Sequence, residues 1–325
     1  MIISKTPLRM SFAGGGSDFK DYYQKNFGAV VSSAIDKYIY VTVNKKFDDY
    51  IRVNYSKTEI VDDVNKIEHN LVREALKLTG ITKGIDITYM SDMLPNHEGT
   101  GLGGSSALAV GILNALYAFK GERVSTARLA REAAQIEIDV LKHPMGKQDH
   151  YPAAFGNLNF VRFNPDESVS VEPIICKPET KKELDENLLL FYTGQCSASS
   201  AVLPEQKKNI DTTSNFLDKM VQLAGNLRES LCNNDLKEFG NILHQGWELK
   251  QKLASNISNP LISNYYQKAR EAGAEGGKIL GSGGGGFLLF YCPKEKQNNV
   301  RQALSDLKET PFRFEAEGSK IVYVD

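Results

Sequence analysis

The chain has little that would tie it to nucleic acid, to a membrane or to an oxidising compartment. Its 325 residues carry 39 lysines and arginines against 40 aspartates and glutamates, a net charge of −1. No block of like charge stands out, so the basic face that neutralises phosphate backbones is missing and a nucleic-acid partner is excluded. Long apolar runs are missing too. The longest, such as Phe287 to Cys292, fall far short of the about 20 residues a membrane helix needs. Met1 to Lys5 lack the apolar core of a signal peptide. The four cysteines, Cys176, Cys196, Cys232 and Cys292, are scattered without a Cys-x-x-Cys pair, which reads as reduced structural thiols rather than a zinc site or a disulfide frame. The expectation is a cytoplasmic protein with a small-molecule partner, working as a monomer or homodimer. The single tryptophan, Trp247, is expected in the core.

What the chain does have is glycine in clusters, at 14–16, 99–104 and 281–286. The middle one carries most information. It reads Gly99-Thr100-Gly101-Leu102-Gly103-Gly104-Ser105-Ser106-Ala107 and runs into an apolar stretch from Leu108 to Phe119. Glycines let a backbone turn sharply and approach a ligand closely. The following helix start offers free N–H groups and a dipole that favours an anion. Two serines there add hydroxyls for a phosphate or a metal. No lysine precedes Ser105, so this is not a Walker loop, and its place a third of the way along the chain is wrong for a dinucleotide fingerprint. The bland alternatives are a flexible strand–helix connection here, a tight turn at 14–16 and a hairpin loop at 281–286.

Strands are expected over 2–12, 28–47, 84–90 and in a pair near 157–175. Helices are expected over 66–79, stopped by Gly80, over 105–119, and over 125–141 with Ser125 as its cap. The proline-containing, charged stretch 164–187 reads as a domain junction. After a strand from Leu188 to Tyr192 the chain turns helical near 203–232, 235–254 and 260–272. A strand from Phe287 to Cys292, a helix near 293–308 and two short strands follow. This order fits two α+β domains with mixed sheets, 1–178 and 179–325.

Two carboxylates invite chemistry. On the helix 125–141 the apolar stripe is Leu129, Ala133, Ile136 and Val140, and Glu137 sits against it. A carboxylate there is costly unless paired or metal-bound, so Glu137 is either an edge residue reaching water or a magnesium ligand beside phosphates. Asp149 follows a break at Pro144 and Gly146. It is either a helix cap or a carboxylate aimed at a substrate hydroxyl. Lys147 and Arg313 are candidate cations for a substrate phosphate, and His97 reads as a solvent-facing loop residue.

The three glycine segments with their flanks resemble the three motifs of the GHMP kinase superfamily, in order: Pro7-Leu8-Arg9 through Gly14-Gly15-Gly16-Ser17-Asp18, Pro95 through Ala107, and Lys278-Ile279-Leu280 through Gly286. The resemblance implies a two-domain fold, with a ribosomal S5 domain 2-like N-terminal domain and a ferredoxin-like C-terminal domain. It implies ATP and Mg²⁺ as cofactors. Gly99, Gly101, Leu102, Gly103, Gly104, Ser105 and Ser106 would hold the ATP phosphates, and Ser105 and Glu137 the metal. Asp149 would be the catalytic aspartate and Arg9 would steady charge beside it. Gly15, Gly16, Ser17, Asp18, Gly283 and Gly284 would contact the substrate. Galactokinases carry Glu-His where this chain has Gly15-Gly16. The first motif, Ile35-Asp36-Lys37-Tyr38 and the run Gln148 to Gly156 are instead similar to the D-glycero-D-manno-heptose 7-phosphate kinases, which implies phosphorylation of an anomeric hydroxyl on the way to surface polysaccharide. An L-fucokinase-like enzyme acting on an unphosphorylated sugar, a catalytically silent nucleotide sensor and an unrelated NAD-binding protein are the alternatives.

Overall fold

The structure is a computed structural model that describes residues 1–93, 99–196 and 199–325. The first half contains β1 (Ile2–Ala13), α1 (Lys20–Tyr23), β2 (Gly28–Lys45), β3 (Ile51–Asn54), β4 (Thr58–Val61), α2 (Asn70–Thr79), β5 (Ile85–Ser91), α3 (Gly104–Phe119), α4 (Thr126–Ala134), α5 (His150–Phe155), β6 (Leu158–Phe163) and β7 (Val169–Pro173). The second contains α6 (Pro178–Glu186), β8 (Leu188–Tyr192), α7 (Ser199–Lys208), α8 (Ile210–Cys232), α9 (Phe239–Lys250), α10 (Pro260–Glu271), β9 (Gly276–Ile279), β10 (Phe287–Tyr291), α11 (Lys294–Ala303), β11 (Lys308–Glu309) and β12 (Lys320–Val324).

Two sheets organise these elements. One runs β12-β1-β2-β5-β3-β4, with β6 and β7 extending from β2, and the other runs β11-β8-β10-β9. β1 and β2 are long, β-branched and nearly all buried along their paired halves, as strands covered on both faces must be. Their pairing slips beside Pro7, whose ring removes a ladder donor. α3 is apolar nearly all round and fills the core against β1 and β2. Gly111 lets it come close, because a Cβ there would stand 2.8 Å from Thr6 Oγ1. Ser4 Oγ then donates to the Gly111 carbonyl at 2.8 Å.

Several expectations are met. Gly80 ends α2 in the left-handed conformation, Ser125 caps α4 through the Arg128 N–H, and Trp247 is buried in the second hydrophobic cluster. Four others are corrected. The helix expected over 125–141 changes to a π-helix at Gln135–Val140, and the widened turn rotates Val140 off the apolar stripe into solvent. The helix expected near 203–232 breaks at Asn209. The stretch 164–187 is no bare linker, for it contains β7, paired with β6, and α6 with Pro178 in its first turn. The final strand leaves the second half altogether, and β12 pairs antiparallel with β1. No helix among the described residues is long and apolar enough to cross a membrane.

Candidate active site

The three glycine segments interlock. Gly101 and Gly103 hold positive φ, and Gly103 is the N-cap of α3. A Cβ on Gly101 would lie 2.5 Å from the Leu280 carbonyl oxygen, and one on Gly286 would lie 2.4 Å from that of Thr100. The second and third segments therefore pack backbone on backbone, where only glycine fits. The first is tied in by Arg9, whose N–H donates to the Leu102 carbonyl at 3.1 Å and whose Nη1 donates to the Gly101 carbonyl at 2.6 Å. Between them opens a cleft of about 680 Å³, lined by Arg9, Gly15, Gly16, Asp18, Gly99, Gly101, Gly103, Gly104, Ser105 and Asp149 among others.

At its floor Arg9 and Asp149 form a fork-to-fork pair, Nε to Oδ1 at 2.7 Å and Nη2 to Oδ2 at 2.6 Å. Asp149 stands at the N-cap position of α5 yet makes no side-chain cap, which removes the cap reading. Asp18, nearly fully buried, accepts from Gly16 N–H at 2.9 Å, Gln148 N–H at 3.0 Å and Gln148 Nε2 at 2.9 Å. Burial raises its pKa, and these donors only partly offset that.

Glu137 is wholly buried. The π turn aims it at Ser106 Oγ, which donates at 2.8 Å, and at His150 Nε2 at 2.7 Å, with His143 Nδ1 3.7 Å away. Burial opposes its charge, but the nearby His143, the bond to His150 and the Ser106 hydroxyl outweigh that and hold its pKa below the usual carboxylate range. Burial likewise disfavours the His150 imidazolium, and the bond to Glu137 raises its pKa nonetheless. Oε1 of Glu137 is left without a hydrogen-bond partner.

The remaining expected residues divide. Ser105 is exposed on the cleft while Ser106, one residue on, turns inward, so the carboxylate meets Ser106 and not Ser105. Leu102 is core. Ser17 spends its hydroxyl on its own turn, donating to the Gly14 carbonyl at 2.8 Å. Gly281 and Ser282 line the cleft, whereas Gly284 donates its N–H to the Ile257 carbonyl and a Cβ on Gly283 would meet the same residue. Lys147 reaches Glu167 and lies over the Tyr23 ring. Arg313 pairs with Asp185 in a separate groove. Neither is on the cleft. Pro95 and His97 lie outside the described residues. Two cations on the cleft, Lys250 and Lys278, were not singled out from sequence, although Lys278 opens the third motif. At one end the cleft is walled by Tyr55, His69 and Tyr89. The two tyrosine rings lie parallel, 6.0 Å apart, and His69 Nε2 is 3.0 Å from Tyr89 Oη.

Comparison with known proteins identifies the family. The family models for the GHMP kinases N terminal domain and GHMP kinases C terminal match residues 65–157 and 227–309. The chain is 30% identical to the D-glycero-alpha-D-manno-heptose 7-phosphate kinase of Campylobacter jejuni, over 98% of each chain. It is 26% identical to the bifunctional fucokinase/GDP-fucose pyrophosphorylase of Arabidopsis thaliana, over 93% of this chain and 31% of that one. The crystal structure of a D-glycero-D-manno-heptose 1-phosphate kinase from Bacteriodes thetaiotaomicron superposes with a TM-score of 0.83 at 27% identity, covering 100% of both chains. The chain belongs to the GHMP kinases.

Proposed function

We propose that this protein is an ATP-dependent sugar kinase that transfers the γ-phosphoryl group to the anomeric hydroxyl of D-glycero-D-manno-heptose 7-phosphate. The observation that carries the reading is the Arg9–Asp149 pair at the floor of a cleft whose other wall is the glycine loop and the start of α3. The sugar is supported by the likeness to the Campylobacter enzyme along nearly its whole length.

In this mechanism the N–H groups of 99–104 and the α3 dipole hold the nucleotide phosphates. The aromatic wall of Tyr55, His69 and Tyr89 takes the base. Asp149 orients the attacking hydroxyl and receives its proton, while Arg9 fixes the carboxylate rotamer through two bonds. Asp18, already aligned by Gln148, accepts a sugar hydroxyl. The residues fit a divalent cation on two counts: Ser105 presents its hydroxyl to the cleft, and Oε1 of the buried Glu137 accepts no hydrogen bond, with His143 Nδ1 3.7 Å from it. Ser105 and Glu137 would hold Mg²⁺, which would neutralise phosphate charge. Ser106 and His150 hold the other Glu137 oxygen in place.

The test is ADP release from ATP and Mg²⁺ with D-glycero-D-manno-heptose 7-phosphate, sedoheptulose 7-phosphate, fucose, galactose, mannose and mevalonate. Turnover with the heptose phosphate, giving a 1,7-bisphosphate by phosphorus NMR, is expected. Turnover confined to a free sugar refutes the assigned substrate but keeps the kinase. Tight ATP binding with no turnover on any acceptor refutes the kinase.

A further inference from the structure

The cleft holds more positive charge than its own carboxylates use. Both oxygens of Asp149 are taken by Arg9, and both oxygens of Asp18 by Gly16 and Gln148. Lys250, on α9, and Lys278, on β9, line the same cleft, are more than nine-tenths buried and have no carboxylate partner among the described residues. Lys250 donates to the carbonyls of Ile279, at 3.2 Å, and Gly281. Lys278 makes one long bond, 3.4 Å to the Phe12 carbonyl. Burying an ammonium group without a counter-charge is costly, and two side by side, next to Arg9, oppose one another.

We propose that Lys278 is a further catalytic residue whose ammonium group contacts the phosphoryl group in transfer, with Lys250 as the positioning residue that holds the third glycine segment around it. This rests on the kinase reading above. The place in the fold supports it. Lys250 grips Gly281, which packs on Gly101 of the nucleotide loop, and Arg9 joins that same Gly101 carbonyl to Asp149. Lys250 thus stands where the nucleotide loop and the acceptor aspartate meet, and Lys278 lines the same cleft beside it, next to Arg9. The acceptor's own phosphate, at the far end of a seven-carbon sugar, lies away from that point. In the step itself the sugar oxygen forms its bond to γ-phosphorus, the bond from γ-phosphorus to the β,γ-bridging oxygen breaks, ADP leaves, and the hydroxyl proton passes to Asp149. Lys278 changes no bond. It stabilises the charge on the phosphoryl oxygens, which are most exposed in a loose transition state.

Burial brings the Lys278 pKa down to about 7, helped by Arg9. The ammonium is the active form, so kcat/KM falls as pH rises through that value. Arg9 from β1 acts on Lys278 directly and Lys250 from α9 opposes it; the other titratable groups on the cleft include Asp18 from the turn after β1, Asp149 from the start of α5, His143 and His69. The experiment measures native protein, Lys278→Met and Lys278→Arg with ATP, Mg²⁺ and D-glycero-D-manno-heptose 7-phosphate between acid and alkaline pH. Native kcat/KM is expected to show an alkaline limb beginning near neutrality. Lys278→Met should lose about 100-fold in kcat, as for a lost charge-stabilising donor, with both KM values nearly unchanged. Lys278→Arg keeps the charge and should lose the limb, because a guanidinium does not titrate there. A raised KM for the sugar phosphate at unchanged kcat assigns Lys278 to the acceptor's phosphate and overturns the proposal. So does an alkaline limb that persists unshifted in Lys278→Arg, or native-like kcat in a folded Lys278→Met. If Lys278→Met does not fold, the native and Lys278→Arg profiles decide alone. Absence of turnover in the native protein overturns the kinase reading and this proposal with it, whereas native turnover with insensitive variants overturns the proposal only.

Discussion

Asp149→Asn is the most informative single change, because it preserves shape while removing both the proton acceptor and half of the fork. Arg9 has only 4% of its side chain exposed and Asp149 17%, so the pair is largely desolvated and each bond carries weight. An amide keeps one acceptor oxygen for Arg9 and turns an N–H toward the other guanidinium nitrogen. With the Gly101 carbonyl still accepting from Nη1, the stability loss should be the about 1–3 kcal/mol of a charged donor left without its partner, a fall in Tm of several degrees. The catalytic loss should be larger. Removing a general base lowers kcat by about 10²-fold or more, equivalent to about 2.7 kcal/mol of barrier. The assay is coupled ADP release at saturating ATP and sugar phosphate, with a melting curve on the same preparation. Arg9→Met should fall similarly, and the double variant should lose little more than Asp149→Asn alone, as residues acting as one unit are strongly non-additive. A folded Asp149→Asn variant with kcat within about threefold of native refutes the role, and a double variant whose losses simply add refutes the coupling.

Glu137→Gln should raise the Mg²⁺ concentration needed for half-maximal rate and lower Tm, since the buried His150 loses its counter-charge; an unchanged metal titration removes Glu137 from the metal site. Gly101→Ala should destabilise far more than Gly121→Ala, because both glycines have positive φ but only Gly101 has a backbone oxygen in the way, at 2.5 Å. Comparing their melting temperatures isolates the clash from the about 1–2 kcal/mol that a left-handed alanine costs in either place. Lys278→Met should melt higher than native at mildly acid pH. The folded pKa of Lys278, about 7, lies below the ordinary lysine value of 10.5. The native protein therefore carries the full penalty of a buried ammonium below about 7, and gains stability as pH rises toward the unfolded value. The advantage of the Met variant should shrink across that window, and a constant difference refutes the assigned burial.

How much of this was legible before the structure depends on whether the signal was local. Gly101 and Gly103 announce a loop at a helix start because each motif residue is read against its neighbours; Arg9 and Asp18 stand in the first motif, and Asp149 in the run Gln148 to Gly156. The joins between segments were not legible. Nothing near Lys250 in the chain says that its helix ends under the third glycine segment, and the setting of Lys278 shows only when Phe12 and Arg9 have been brought around it. β12 reads as a short polar-ended strand, and its partner, β1, lies at the opposite end of the chain.

The two serines show the limit most sharply. Ser105 and Ser106 are adjacent on a helix start, so about 100° of rotation separates them, and either can face a ligand. The choice is made by the partner of the inward one. Glu137 reaches Ser106 because the chain widens into a π turn at Gln135–Val140, a feature that a helical pattern with period 3.6 conceals and that often marks functional sites. The same widening exposes Val140, which the sequence pattern places on the apolar stripe, so the pattern itself carries no trace of it. One added residue in one turn thereby turns the Ser106 hydroxyl to Glu137 while that of Ser105 stays on the cleft. Ser105→Ala should impair nucleotide use with the fold intact, whereas Ser106→Ala should loosen Glu137 and lower the melting temperature. The reverse pattern would mean that Ser106, and not Ser105, serves the nucleotide.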